Sequence, residues 1–294
     1  MTPDHISALR ALLQPDAQGK RRLLNIPGCW DGLTALLVEQ AAFEAAFLTG
    51  GGLSMARLGR PDMGLTTASE TIDAVMQIRD RVALPLIVDG DTGFGNAINL
   101  QRTVRGVERA GASAIQIEDQ SFPKRCGHMA GKTVVPLPEA VGRVKAALDA
   151  RRDMLVFART DAVAIEGLEG ALERAEAFLD AGADAVFVEG PRTEAELACI
   201  ATRLAQRVPL IHNLVEGGIS PTDDGAELER LGFAIALHPL VLMHGFVRQA
   251  PGWLAELRKM RTTASIRHEL VDLKHMNGLA GADALFELGE RYDA

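Results

Sequence analysis

Short apolar runs alternate with longer, alanine-rich stretches along most of the chain. The runs at 23–26, 45–48, 85–88, 114–117, 154–158, 185–188, 209–212 and 233–237 are mostly apolar blocks of strand length. That is the pattern of strands buried on both faces. Between them, 33–42, 68–81, 98–110, 138–150, 168–181, 194–207 and 223–231 have helical period. Thr67 or Ser69 gives the second helix a start signal, and Gly111, Gly182 and Gly232 close later ones. Strand and helix alternating eight times predicts parallel strands with right-handed crossovers. At 294 residues the expected architecture is α/β, a closed (β/α)8 TIM barrel.

Two internal echoes agree. AGASAIQIE at 110–118 matches AGADAVFVE at 181–189, and PLIVD at 85–89 resembles PLIHN at 209–213. A reused helix-to-strand turn explains the glycines, but not why each strand closes on a polar residue. No linker divides the barrel, so residues 1–294 are expected as a single barrel domain. After Gly245 the pattern changes to helical stretches at 253–261, 266–274 and 283–291, with no strand. Residues 246–294 are therefore expected as a helical extension that packs on the barrel or serves a partner subunit.

The strand ends carry the chemistry. In order they bring Asp31 near Cys29; Thr49-Gly50-Gly51-Gly52; Asp89 and Asp91; Glu118 and Asp119; Arg159 and Asp161; Glu189; Asn213; and His238. A closed parallel barrel gathers such residues on one face, where barrel enzymes hold their active sites.

Composition narrows the class. The formal net charge of -8 opposes a nucleic-acid footprint, which would be basic. No stretch is apolar for the roughly 18 residues a membrane span needs, and the N-terminal region lacks a signal peptide's apolar segment. Three cysteines, Cys29, Cys126 and Cys199, are odd in number and widely spaced, which favours a reducing cytoplasm over a disulfide framework. Cys29 and Cys199 are expected to be small core hydrophobes.

Asp89, Asp91 and Glu118 form an oxygen-only set suited to Mg²⁺, with Mn²⁺ possible; otherwise they must pair with lysines or arginines. The Thr49–Gly52 run reads as a tight turn whose N–H groups can approach an anion. Arg159 has the fork that grips a carboxylate. Cys126 lies among Lys124, Arg125 and His128, cations that favour its thiolate. A metal and an arginine together would hold a 2-oxo or 2-hydroxy carboxylate. A thiol could then move a proton at an adjacent carbon.

At these residues the sequence resembles the isocitrate lyase / phosphoenolpyruvate mutase superfamily. The similarity rests on KRCGH at 124–128, the TGGG turn, Arg60-Pro61-Asp62, DGDTGFGN at 89–96, IED at 117–119, ARTDA at 158–162, Glu189 and NLVEGG at 213–218. The PKRCGHMAGK loop is most similar to the branch of 2-methylisocitrate and dimethylmalate lyases. The resemblance implies a barrel whose eighth helix is swapped between subunits of a homodimer or homotetramer. It implies Mg²⁺ on Asp89, with Asp91, Glu118 and Asp62 acting through water. It implies that Thr49, Gly50, Gly51 and Arg159 hold the carboxylate and forming enolate, and that Glu189 and Asn213 lie near a second carboxylate. Cys126 would be the proton donor, on a loop that Lys124 and His128 support. Phe47 departs from this pattern, standing where related lyases carry tyrosine, so a phenol that could act as acid or base is missing.

The expected activity is a Mg²⁺-dependent carbon–carbon lyase cleaving a 2-hydroxy di- or tricarboxylate to pyruvate or a homologue. The alternatives are an oxaloacetate-cleaving hydrolase, a phosphonopyruvate-type enzyme, or a metabolite-binding barrel without catalysis.

Overall fold

Eight parallel strands close into a barrel in strict chain order, β1 pairing with both β2 and β8. The computed structural model describes residues 4–125, 127 and 131–292. A capping helix α1 (Asp4–Leu12) precedes β1 (Leu24–Cys29), α2 (Gly32–Gln40), β2 (Ala46–Leu48), α3 (Gly50–Leu58), α4 (Ala68–Arg79) and β3 (Leu86–Asp89). The cycle continues through α5 (Ala97–Ala110), β4 (Ala114–Glu118), α6 (Leu137–Ala150), β5 (Leu155–Thr160), α7 (Val163–Ala181) and β6 (Ala185–Val188). It closes with α8 (Glu194–Leu204), β7 (Leu210–Asn213), α9 (Gly225–Leu231) and β8 (Ile235–His238).

All eight expected strands form, and the apolar residues within them are buried, while Asn25 in β1 is exposed. The helix signals act as read. Thr67 caps α4 in a reciprocal box with Glu70, and Gly111, Gly182 and Gly232 end α5, α7 and α9 at φ of 106°, 105° and 100°. Gly28, late in β1, has no alternative: an added Cβ would sit 2.0 Å from the Pro239 carbonyl oxygen.

Three expectations are corrected. The Thr49–Gly52 run is not a free-standing turn. Thr49 is the N-cap of α3, its hydroxyl accepting from the Gly52 N–H, and the glycines are that helix's first turn. Cys199 is exposed rather than core. The buried face of α8 is Leu197, Ile200, Ala201 and Leu204, and position 199 falls off that stripe. Asp31 is not a site residue either; it caps α2 in a box with Thr34.

Two compact units make up the chain, Met1–Val241 and Leu242–Ala294. In the second, helix α10 (Val241–Met260) starts well before the expected 253 and continues through Pro251. A 3-10 helix (Ala264–Glu269), α11 (Leu273–Ala280) and α12 (Ala282–Glu290) follow. Trp253 donates its indole N–H to Glu269 at 2.7 Å. Neither α11 nor α12 buries a residue, and Leu273, Leu285 and Phe286 stand exposed.

Candidate active site

Strand parity decides which polar residues reach the barrel's mouth. Side chains alternate across a strand, so Phe47 and Thr49, Asp89 and Asp91, Gln116 and Glu118, Arg159 and Asp161, and the pair Glu189 and Asn213 follow the inward phase. Register then sets neighbours: Asp89 lies beside Gln116, Glu118 beside Arg159, and Arg159 beside Phe187. Asp119 is one position out of phase. It accepts from the Thr160 hydroxyl at 2.7 Å and the Asp161 N–H at 2.9 Å, and it faces Arg174 on α7. Its carboxyl ties the helix layer to β5 and takes no place in the pocket.

A cavity of about 160 Å³ opens at the carboxyl ends of the strands, lined by Phe47, Thr49, Gly51, Asp62, Asp89, Gln116, Arg159 and Asn213, with Met55, Pro239 and Leu240 adding apolar wall. At its floor, Gly50 leaves the Asp89 carboxylate room that a side chain would take, and Gly51 stands in ordinary contact distance of Asp62. A Cβ on Gly50 would lie 2.9 Å from Asp89 Oδ2, and one on Gly51 would lie 3.5 Å from Asp62 Cβ. The Gly50 N–H points at Asp89 Oδ2 at 3.3 Å, and the Asp91 N–H at Asp89 Oδ1 at 3.2 Å. Asp91 itself sits at φ 48°, a left-handed conformation that folds its carboxylate back toward Asp89.

The acids are partly neutralised by the protein's own cations. Lys124, buried, pairs with Asp62 and lies 2.7 Å from Asp91 Oδ1. Burial alone would lower its pKa, but Asp91, Glu118, Asp62 and Asp89 hold it well above the ordinary lysine value. Lys124 therefore meets the acid cluster directly, a closer part than supporting a loop. Burial pushes Asp91 up to about 7; Lys124 opposes the shift and Asp89 and Asp62 add to it. Burial likewise holds Glu118 well above the usual carboxylate range, against the pull of Arg159.

Arg159 carries the opposite charge on the other side of the pocket. Its fork grips Asp161 through Nε at 2.9 Å and Nη2 at 3.0 Å, with Glu118 at 3.4 Å and Glu189 at 3.6 Å. Its guanidinium carbon stands 5.0 Å from the Phe187 ring centroid. Burial works against its charge, but Asp161, Glu189 and Glu118 keep it firmly protonated. Asn213 donates to Glu189 at 3.1 Å, fixing the far wall.

Glu118 Oε1 is buried without a hydrogen-bond partner, while Asp91 Oδ1 has Lys124 at 2.7 Å as its counter-ion. An orphaned Glu118 oxygen, with the carboxylates of Asp89 and Asp91 nearby, forms an oxygen donor set that suits a hard divalent ion. Among the described residues no three acid, histidine or cysteine side chains stand close enough to bind one ion directly. The residues fit an ion held by one or two carboxylates, the remainder reaching it through water. Cys126 and His128 lie outside the described residues. Their neighbour Gly127 is buried at the pocket, where a Cβ would come within 2.3 Å of Arg159 Nη2.

Residues 15–248 match the family described as phosphoenolpyruvate phosphomutase. The chain belongs to the phosphoenolpyruvate mutase / isocitrate lyase superfamily. It is 38% identical over 276 residues to the 2,3-dimethylmalate lyase of Eubacterium barkeri, covering 92% of this chain and 94% of that one. It is 41% identical over 253 residues to the 2-methylisocitrate lyase of Salmonella typhimurium, covering 85% of each. Among solved structures, oxaloacetate acetylhydrolase in complex with the inhibitor 3,3-difluorooxalacetate superposes with a TM-score of 0.91 at 31% identity, over 99% of this chain and 97% of that chain.

Within this superfamily member, sequence reasoning missed Gln116, Lys132, Gln120 and Met55. Gln116 had a signal: it is the one amide inside the apolar run of β4. It is 2% exposed, and its Oε1 is buried without a partner. Lys132 and Gln120 gave no local signal, since their partners are distant in sequence or on the backbone.

Proposed function

We propose that the chain is a Mg²⁺-dependent carbon–carbon bond lyase cleaving a 2-hydroxy di- or tricarboxylate, of 2-methylisocitrate or substituted-malate type, to pyruvate or a homologue and a second carboxylate. The observation that carries this is the register that sets Glu118 beside Arg159 and Asp89 beside Gln116 around one small pocket. The named lyases among its relatives support it.

Asp89 would hold the Mg²⁺ directly and Asp62, Asp91 and Glu118 through water; when bound, it supplies Lewis-acid stabilisation of developing enolate charge. Arg159, with the N–H groups of Gly50 and Gly51 and the Thr49 hydroxyl, binds and orients the substrate carboxylate. Glu189 and Asn213, linked to one another, face the second carboxylate. In the bond-breaking step a general base accepts the hydroxyl proton as the C2–O bond becomes a carbonyl. The C2–C3 electron pair moves onto C3 as the enolate of the departing acid. Cys126 donates the proton that quenches it. Phe47 presents only carbon to the pocket, so the hydroxyl proton is taken without a phenol at that position. Lys124 neutralises the acid cluster through Asp62 and Asp91.

The exposed apolar residues of α11 and α12 support an oligomer, a homotetramer or homodimer in which this helical segment is exchanged with a second copy. The chain acts in the cytoplasm as a free enzyme, in keeping with the absence, among the described residues, of any helix long and apolar enough to cross a membrane.

Release of 2-oxo acid from 2-methylisocitrate, isocitrate, malate, 2-alkyl and 2,3-dialkyl malates, with and without EDTA, tests the lyase. EDTA-sensitive release from one of them, lost in Cys126→Ala, is the expected result. The similarity to oxaloacetate acetylhydrolase favours one second reading, hydrolysis of oxaloacetate. Oxalate plus acetate from oxaloacetate, with silence on the hydroxy acids, would replace the lyase by that hydrolase.

A further inference from the structure

After β4, residues 119–121 and 133–135 are zipped together. The Ser121 N–H donates to the Thr133 carbonyl at 2.9 Å, the Val135 N–H to the Asp119 carbonyl at 2.9 Å, and Gln120 and Val134 form an antiparallel bridge. Two buried side chains beside this zip reach inward. The Gln120 amide, 1% exposed, holds the Arg125 backbone twice, donating to its carbonyl at 2.8 Å and accepting from its N–H at 2.9 Å. The Arg143 guanidinium in turn donates to the Gln120 carbonyl at 2.8 Å.

Lys132 works from the other limb. Its ammonium donates to the Gly127 carbonyl at 2.6 Å and to Asp161 Oδ1 at 2.8 Å. The same Asp161 carboxylate is the bidentate partner of Arg159. Gly127 is seated on that guanidinium, with no room for a side chain between them. One lysine thus joins a loop carbonyl to the carboxylate that aims the pocket's arginine. A compact ammonium with three donors serves both partners at once and supplies the positive charge that the Asp161 carboxylate pairs with.

We propose that Gln120 and Lys132 are positioning residues for the reaction: between them they fix the backbone at Arg125 and Gly127, on either side of position 126, against the Arg159–Asp161 pair. Neither lines the pocket. The inference rests on the lyase reading for its consequence in turnover, but its geometry is independent of which bond is cleaved. A lysine that merely stabilised the loop would lower the melting temperature and leave the thiol's chemistry alone.

The experiment is carbamidomethylation of Cys126 by iodoacetamide across pH 6–9 in the full-length protein, without substrate, quantified by peptide mass spectrometry against exposed Cys199 as internal reference. Lys132→Met is expected to change the Cys126 to Cys199 rate ratio at least fivefold and shift its pH profile, with Lys132→Arg closer to wild type. On the active substrate, Lys132→Met should lower kcat about a hundredfold while KM stays within threefold. A folded Lys132→Met whose labelling ratio, pH profile and kcat all match wild type would overturn the proposal. Should that variant not fold, Gln120→Ala is judged by the same ratio and the same criterion. If the wild-type protein cleaves none of the hydroxy acids, the lyase reading falls. A shifted labelling ratio would still uphold the positioning role, and an unshifted one would end it.

Discussion

Lys124 Nζ lies 2.7 Å from Asp91 Oδ1, and both groups are buried. The pair stands where Asp62, Asp89 and Glu118 also converge, so this lysine is the cation that lets the acids remain together. Lys124→Met removes it. Burial raises the Asp91 carboxyl to about 7 in the fold from the ordinary 3.8, against the pull of Lys124. Between those values the folded chain keeps a proton that the unfolded chain has lost, so stability falls as pH rises. Without Lys124 the folded value climbs further, and the loss extends to higher pH. Urea denaturation of Lys124→Met should show little loss at pH 5.5 and about 3 kcal/mol at pH 8, partly restored by millimolar Mg²⁺. An equal loss at both pH values would mean that the lysine only packs.

Gly50 gives a test of the metal donors that leaves their identities intact. A Cβ there would sit 2.9 Å from Asp89 Oδ2 and 3.3 Å from Asp91 Oδ1. Alanine is the better helix former by about 1 kcal/mol, so Gly50→Ala should fold with little change in melting temperature. It should nevertheless bind Mn²⁺ or Mg²⁺ at least tenfold more weakly by calorimetry. Unchanged affinity would place the ion elsewhere than Asp89.

Most of the fold was legible because barrel strands are mostly apolar blocks and helices end on glycine. α3 was not: three consecutive glycines have the poorest propensity of any residue short of proline. The helix forms there because Thr49 caps it, and bare backbone at Gly50 lets its first turn approach the Asp89 carboxylate closely. Cys199 could have been placed outside the core, since it lies two positions after Leu197 on a face whose buried members fall three, four and seven after it. The strand-end acids and Arg159 were readable because chain order alone brings them to one face. The Lys124 pairing, the Lys132 latch and the out-of-phase turn of Asp119 depend on loop path and strand parity, which no local window reveals.

His5 offers a pH signature remote from the site. Its Nδ1 lies 2.9 Å from the Ser113 hydroxyl, which also receives the Leu86 N–H, so α1 is fastened to β3 through this ring. Burial, then Arg79, lowers its pKa to about 4 from 6.5. Between those values the unfolded chain binds a proton that the folded one does not. The contribution is therefore whole above pH 6.5 and is lost as pH falls toward 4. Solvent screening of a half-buried ring limits it to about 1 kcal/mol. The difference in unfolding free energy between wild type and His5→Gln should shift by that amount from pH 7 to pH 4.5. A constant difference would assign the lowered pKa no part in stability.

Gln116 lies in register with Asp89, lines the pocket, and leaves its Oε1 buried without a partner. An unmet acceptor of this kind costs a fold about 1–3 kcal/mol, which selection for stability alone would remove. Its place in an otherwise apolar strand makes sense if the missing donor arrives with the substrate, as a hydroxyl does. Gln116→Leu keeps the approximate volume and deletes the orphan. The variant should gain about 1 kcal/mol in urea denaturation and lose at least tenfold in kcat/KM on the best hydroxy acid. Gains and losses of opposite sign are the mark of a group held for function at the expense of stability. A variant that is less stable and fully active would instead make the amide part of the barrel's packing.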